Sequence, residues 1–495
     1  MQFWPAAAGL YRRETYDNYP AARAILSCVY EGLQLPFDQA LRVEQRYFTH
    51  ILQTKEAAAM ARTLFISMQA LNKLTRRPAA VGPSTLTRIG IIGAGFMGAG
   101  IADVSARAGL EVVLLDRDQA AADTGKGRSQ ASMEKDAGRG RLAAADKDAA
   151  LARITPSADY GALAGCDLVI EAVFEDRGVK EKTIRAAEAA LGENAVLASN
   201  TSTLPITSLA EYAARSDRFI GIHFFSPVER MMLVEVILGK KTGDGALAAA
   251  LDYVRRIKKT PIVVNDSRAF YTSRVVETYV GEGHLMLTEG IPAAMIENVA
   301  RMAGMPVGPL SLNDEVAIDL TQKIMAATRK DLGAAAVPED EWRLINGMIE
   351  RGRLGRKNGK GFYDYPESGK KKLWPGLVEL FPIVDDVDAI DVTTLKERFL
   401  ARQALEAARC FAEGVITDVR EADVGSVLGF GFPPFTGGTL SYIDFMGTGA
   451  FVELCRKLAK AHGPRFEPPA LLVEMAAKGE TFYGRFAPPA QARAA

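Results

Sequence analysis

Residues 88–116 read RIGIIGAGFMGAGIADVSARAGLEVVLLD, and the order of residue types here decides the fold. Arg88–Ile92 is a short apolar strand, followed by Gly93, Gly95 and Gly98 in G-x-G-x-x-G spacing. A helical stretch with Ile101, Val104 and Ala108 on one face comes next and stops at Gly109, a helix-ending signal. A second apolar strand, Val112–Leu115, ends in Asp116. The three glycines serve a tight turn, close approach of backbone to a pyrophosphate, and close packing of helix on strand. The free N–H groups and the dipole of the helix N-terminus favour an anion there. Asp116, 18 residues beyond Gly98, can accept hydrogen bonds from a ribose diol and repel a 2′-phosphate. A glycine triplet alone is a weak signal. Inside a strand–turn–helix–strand–Asp frame it marks a dinucleotide site, and the carboxylate selects NAD over NADP.

The frame continues as an α/β sheet. DLVIEAVFED (167–176), AVLASNTS (195–202), RFIGIHFF (218–225), MLVEVI (232–237) and TPIVVND (260–266) are strand candidates, with Ala-rich helical segments between several of them. Three of these strands end in polar clusters: Glu171 to Glu175, Asn200 to Ser202, and His223. In doubly wound sheets ligands bind beyond the carboxyl ends of the strands, so these clusters and the dinucleotide share one crevice. Alternation puts His223 on a strand face with Phe219, Gly221 and Phe225, and Glu235 on one with Leu233 and Ile237. A carboxylate in such a setting needs a charged or hydrogen-bonded partner. Either each group is satisfied locally and holds the fold together, or His223 moves a proton while a nicotinamide moves a hydride.

Bulk composition narrows the classes. The 495 residues suggest about three domains. The 60 basic and 60 acidic residues cancel, so no basic field points to nucleic acid or an anionic membrane. Cys28, Cys166, Cys410 and Cys455 are scattered without a C-x-x-C pair, which fits reduced thiols in a cytoplasmic protein and offers no metal site. No apolar stretch reaches membrane-spanning length, and the opening MQFWPAAAGLYRRETYD lacks the pattern of a secretory signal.

GAGFMGAGIA, EAVFEDRGVK, SNTS, HFFSPV with Glu235, and GRKNGKGFYDY together resemble the L-3-hydroxyacyl-CoA dehydrogenases, most closely the dehydrogenase half of multifunctional fatty-acid β-oxidation enzymes. The resemblance spans roughly residues 85–450, and five motifs in one order make it specific. It implies a Rossmann-type NAD-binding domain followed by all-α domains, acting on 3-hydroxyacyl-CoA and 3-ketoacyl-CoA. By the family pattern His223 is the general base, Glu235 orients its imidazole, and Ser202 contacts the substrate. Gly93, Gly95, Met97, Gly98, Asp116, Glu175, Lys180 and Asn200 match cofactor-contacting positions. Outside the family, Glu175 reads as a strand-end cap, Lys180 as a solvated charge and Asn200 as an Asx turn.

Two positions depart from the pattern. Ser226 stands where the family has the asparagine of H-F-F-N-P, and Ser273 where it has the asparagine of G-F-x-x-N-R, here AFYTSR. A serine donates one hydrogen bond but reaches less far, which bears on substrate range. The polar insertion between Asp116 and Ile154 matches the family's helical pair over the CoA groove, with Ser132 and Arg139 at CoA-contacting positions. Lys126, Arg128 and Arg141 are candidates for further phosphate contacts or for an ordinary solvated helix face.

The resulting division is a helical segment over 1–84, an NAD-binding domain over 85–266, a first helical domain over 267–366 and a second over 367–495. The last two form an internal repeat. Residues 273–290 correspond to 397–414, and Gly304, Pro309 and Asp319 to Gly429, Pro434 and Asp444. The intervening GRLGRKNGKGFYDYPESGKKK reads as a basic, solvent-facing linker. Residues 1–84 resemble the end of an enoyl-CoA hydratase domain without its crotonase-fold core, so no hydratase activity is expected of these residues. A separate hydratase or thiolase subunit is the expected kind of protein partner. The competing functions are a non-catalytic NAD-binding or scaffold subunit and another NAD-dependent β-hydroxyacid dehydrogenase, which uses a lysine base and needs no His–Glu pair.

Overall fold

A computed structural model describes residues 3–488. Two compact units are traced by the chain more than once. One holds the residues up to Ala61 with Val275–Arg409 and Gly431–Arg485; the other holds Arg62–Arg274 with Cys410–Phe430.

The second unit carries an eight-stranded sheet: β1 Arg88–Ile92, β2 Glu111–Leu115, β3 Ile154–Ser157, β4 Leu168–Glu171, β5 Val196–Ser199, β6 Phe219–Phe224, β7 Leu233–Leu238 and β8 Thr260–Asn265, in the order β3-β2-β1-β4-β5-β6-β7-β8. All neighbours run parallel except β6 and β7, which are antiparallel. The order reverses between β1 and β4, the switch point at which such sheets open a crevice. The helices Phe96–Arg107, Gln119–Ala137, Arg177–Ala190 and Asp244–Arg256 lie between strands in the chain. The strands are nearly continuous apolar runs because both faces are covered: Ile91, Val112 and Leu168 on one face and Ile92, Val113 and Val169 on the other are all buried.

This unit extends past the boundaries that the sequence suggests. Leu74 lies in the sheet's core, Arg77 clamps Asp252 at 3.0 and 2.9 Å, and Asn72 accepts a bond from Thr260 at 2.9 Å, so the chain joins the unit before residue 85. The helix Val419–Phe430 packs on β7 and β8. It does so through glycines: a Cβ on Gly425 would lie 2.9 Å from Ile262, and one on Gly429 2.7 Å from Leu233.

The other unit is helical. Its helices Pro309–Val316 and Thr439–Met446 have the same length, and each is followed by a left-handed residue, Ala317 at φ +90° and Gly447 at φ +93°. Asp314 accepts from Phe362 N and Tyr363 N at 2.8 and 2.9 Å, and Asp444 from Phe482 N and Tyr483 N at 2.7 and 3.0 Å. The counterpart of Asp444 is therefore Asp314 and not Asp319, because equal helices with equal ends set the correspondence. The supposed linker is also built into the fold. Arg353 is 6% exposed, donates to Gly361 O at 2.7 Å and lies over Trp374 at 4.2 Å, so this charge does not face solvent. At the N-terminal end the helix Phe37–Leu52 turns Phe37, Leu41, Phe48 and Leu52 outward. Among the described residues no helix is long and apolar enough to cross a membrane.

Candidate active site

The turn after β1 shows why its glycines stand where they do. Gly93 has φ +98°, and a Cβ there would lie 2.6 Å from the Ala172 carbonyl oxygen. A Cβ on Gly98 would lie 1.7 Å from the Gly93 carbonyl oxygen and force the helix off the strand. Gly95 caps the helix, and a Cβ there would meet nothing within 4 Å. That open side, with first-turn N–H groups that no side chain caps, has the chemistry a diphosphate needs. Met97 lies half-buried in the same turn against the sheet core. Asp116 Oδ2 accepts from Ala94 N at 2.6 Å and Oδ1 from Arg117 N at 2.7 Å, and each oxygen keeps a lone pair for a ribose hydroxyl. Arg117 reaches instead for Asp118 at 3.1 Å. These residues fit NAD.

Beyond β4 and β5 the polar clusters interlock. Lys180, on the helix Arg177–Ala190, is 1% exposed, and its Nζ donates to both oxygens of Glu171 at 2.9 and 3.0 Å and lies 3.3 Å from Glu175 Oε2. It is no solvated surface charge. Glu171, which pattern reading registers only as a polar strand end, is the buried anchor of this ion group and also accepts from the Ser199 hydroxyl. Burial raises the Glu171 carboxyl above its usual range despite Lys180. Burial also pushes Glu175 upward, but the Lys180 charge and hydrogen bonds from Thr201 and Thr203 outweigh it and hold its carboxyl low. Glu175 Oε1 accepts from Thr201 Oγ1 at 2.5 Å, Ser202 N at 3.1 Å and Thr203 N at 3.2 Å, which fixes the loop that carries Ser202. Asn200 Oδ1 accepts from Phe224 N at 2.8 Å and ties that loop to the residue after His223.

His223 and Glu235 face each other across one rung of the antiparallel β6–β7 ladder. His223 Nδ1 lies 2.9 Å from Glu235 Oε2. Glu235 is fully buried and takes three further donors: Tyr271 N at 3.0 Å and Thr272 N at 3.1 Å on Oε1, and Thr272 Oγ1 at 2.6 Å on Oε2. Phe225 and Phe270 flank the imidazole at 4.6 and 6.2 Å between ring centroids. Among the described residues Nε2 has no hydrogen-bonded protein partner, and the side chain keeps 8% of its surface exposed. A carboxylate on one nitrogen and open space at the other is the arrangement of a general base. Ser226 is exposed beyond β6, and Ser273 is half-buried one residue after Thr272. The role of Thr272 has no signature in the sequence. It follows from two left-handed residues before it, Ala269 at φ +59° and Phe270 at φ +52°.

The insertion after β2 folds as Gln119–Ala137 and Ala144–Ala152, separated from β2 by the Asp118 cap. A groove of about 410 Å³ lies along the first of these helices, lined by Ser132, Lys135, Asp136, Arg141, Glu229 and Arg230 among others. Arg107 braces it by pairing with Asp103 and, at 2.8 Å, Asp136. Arg128 donates to Ala94 O at 3.0 Å in the glycine turn. Arg139 is exposed beyond the helix end and does not line the groove; Arg141 does.

The family model of the 3-hydroxyacyl-CoA dehydrogenase NAD binding domain matches residues 88–267, and that of the family's C-terminal domain matches residues 270–365. The chain is 36% identical over 474 residues to a fatty acid oxidation complex subunit alpha from Shewanella amazonensis, covering 95% of this chain and 66% of that protein. It therefore spans about two thirds of that relative's length. A solved (S)-3-hydroxybutyryl-CoA dehydrogenase from Ralstonia eutropha is 36% identical with a TM-score of 0.54, covering 57% of this chain and all of that one. The 3-hydroxybutyryl-CoA dehydrogenase of Escherichia coli K12 has the same fold, with a TM-score of 0.69 at 24% identity over 80% of this chain and 99% of that one.

Proposed function

The chain belongs to the 3-hydroxyacyl-CoA dehydrogenase family, and on that premise we propose that it oxidises L-3-hydroxyacyl-CoA to 3-ketoacyl-CoA with NAD. The His223–Glu235 rung at 2.9 Å is the observation that supports this reading most. His223 Nε2 takes the proton of the 3-hydroxyl, and Glu235 holds the ring orientation and stabilises the imidazolium that forms. Bound NAD supplies the hydride acceptor. Gly93, Gly95 and Gly98 leave room for its diphosphate, Asp116 takes the adenosine ribose, and Met97, Glu175, Lys180 and Asn200 shape the nicotinamide end. Ser202, Ser226 and Ser273 surround the acyl group, and the groove lined by Ser132 and Arg141 takes the CoA moiety.

The substrate places the enzyme in fatty-acid β-oxidation or a related acyl-CoA degradation. Four scattered cysteines, none in a disulfide, fit a reducing cytoplasmic setting. In this reading a second helical domain repeats the first. Arg274 and Arg398 hold equivalent places in the repeat and pair with Glu413 and Glu289, which are equivalent in turn. Reciprocal pairs of this kind are what a two-fold arrangement produces, here within one chain. The outward-facing Phe37, Leu41, Phe48 and Leu52 are where a hydratase domain or subunit would pack.

The test is NADH oxidation with acetoacetyl-CoA and with a long-chain 3-ketoacyl-CoA. Turnover with either is expected. A protein that binds NADH and reduces neither is a non-catalytic subunit, and one that prefers a free 3-hydroxyacid is a different dehydrogenase.

A further inference from the structure

We propose that Thr272 is a positioning residue for the proton transfer, its hydroxyl fixing the Glu235 oxygen that faces His223. This rests on the dehydrogenase reading above. Glu235 Oε2 is shared by His223 Nδ1 at 2.9 Å and Thr272 Oγ1 at 2.6 Å, while Oε1 is held by Tyr271 N and Thr272 N. Thr272 is 1% exposed and Glu235 fully buried, so water does not substitute for these donors. The carboxylate cannot rotate without breaking at least one bond to a charged group, and the imidazole takes its orientation from it.

The backbone that delivers these donors is strained. Ala269 and Phe270 are consecutive non-glycine residues in the left-handed region, at φ +59° and +52°. Side chains disfavour that conformation, and such strain persists only where surrounding structure fixes it. Here it aims two successive N–H groups and one hydroxyl at a single carboxylate, at the start of the helix Thr272–Thr288, whose dipole favours the same charge.

The hydroxyl also tunes the pair. A donor on Oε2 spreads the carboxylate's charge and weakens its pull on Nδ1–H. Removing that donor makes Glu235 a stronger acceptor and raises the proton affinity of His223. The charged groups on the elements packed around β6 and β7 are engaged elsewhere. Glu421 bonds Arg76 and Val263 N, Asp252 bonds Arg77 and Arg255, Arg274 bonds Glu413, and Glu171 and Glu175 share Lys180. Of the remainder, Glu229 and Arg230 lie in the connection between β6 and β7, Asp244 and Arg256 stand at the two ends of the helix Asp244–Arg256, Arg420 bonds Asp418, and Asp423 lies two residues beyond Glu421 in the same helix.

The test compares Thr272→Val, which keeps shape and loses the hydroxyl, with Thr272→Ser, which keeps the hydroxyl. Both are measured in the full chain by oxidation of 3-hydroxybutyryl-CoA from pH 5.5 to 10, with NADH titration and melting temperature alongside. Thr272→Val is expected to lose about tenfold in turnover, the scale of one hydrogen bond to a charged group. Its acidic limb of kcat/KM is expected to move up by about half a pH unit or more, with NADH affinity unchanged. Thr272→Ser is expected to restore both. An active wild type with Thr272→Val at normal turnover and an unmoved limb overturns the proposal alone. So does Thr272→Ser failing as badly as Thr272→Val with an equally lowered melting temperature, since the side chain then only supports packing. A wild type that binds NADH and turns over no acyl-CoA overturns the dehydrogenase reading and the proposal together.

Discussion

Two histidine–glutamate pairs in this protein are built alike and cannot do the same thing. In His223–Glu235 and in His284–Glu341, Nδ1 lies 2.9 Å from a glutamate oxygen and both partners are buried. His284 stacks on Phe362 at 5.5 Å, and its Nε2 is sealed without a partner among the described residues. His223 stands at the end of a strand, between Phe225 and Phe270, with part of its ring still accessible. A carboxylate on one nitrogen fixes a tautomer in either place, and what the other nitrogen can reach decides whether the pair does chemistry. The first pair keeps a nitrogen that a ligand can reach; the second is a structural rivet that carries the cost of one unmet hydrogen bond.

The largest expected effect breaks or keeps this distinction directly. His223→Gln should lower turnover about 10²–10⁴-fold, the usual loss of a general base, with NADH affinity unchanged. His284→Gln should leave turnover per folded molecule at the wild-type level. Equal losses in both folded variants would erase the comparison. Next in size, Glu341→Ala removes the partner of His284 Nδ1 and should cost about 1–3 kcal/mol in urea denaturation, without changing kcat. Glu235→Gln should reverse that pattern, and combining it with His223→Gln should add little, because the pair acts as a unit.

A smaller effect sharpens what makes the surroundings of His223 a site. Asp116→Ala should narrow the preference for NAD over NADP by about tenfold, as expected for lost hydrogen bonds to one ribose. Unchanged preference would detach the β2 carboxylate from cofactor choice. The smallest effect concerns the strained turn. Ala269→Gly relieves a left-handed alanine worth about 1–2 kcal/mol and adds chain entropy of about 0.5–1 kcal/mol, so a net gain between zero and about 1.5 kcal/mol is expected, read as a raised melting temperature.

What the sequence makes legible follows from which features are local. The β1–β2 frame can be read because buried parallel strands are uninterrupted apolar runs and the glycine spacing is fixed by backbone contact. β3, with sequence ITPS, cannot: only Ile154 is fully buried, and a proline sits in a strand at the sheet's edge. Arg353 reads as solvent-facing because its partners, the carbonyls of Gly361 and Tyr363, exist only once the chain folds back on itself. The same holds at the site. His223, Glu235 and the polar strand ends stand out as polar residues in apolar runs. Lys180 looks like any helix-surface lysine until Glu171 is placed beneath it, and Thr272 matters only because two residues before it adopt a backbone that no pattern foretells.

The antiparallel rung between β6 and β7 has a consequence for how this protein can change. His223 and Glu235 are aligned by the ladder, His223 against Glu235 with Phe224 against Val234 and Ile222 against Val236, and not by the eight residues that connect the strands. A residue gained or lost inside either strand turns the glutamate to the opposite face and dismantles the dyad at once. A residue gained or lost in the connection, where Ser226 lies, leaves the alignment untouched. The connection can thus vary without moving the rung, and under the function proposed above substrate range can drift while the proton transfer stays in register.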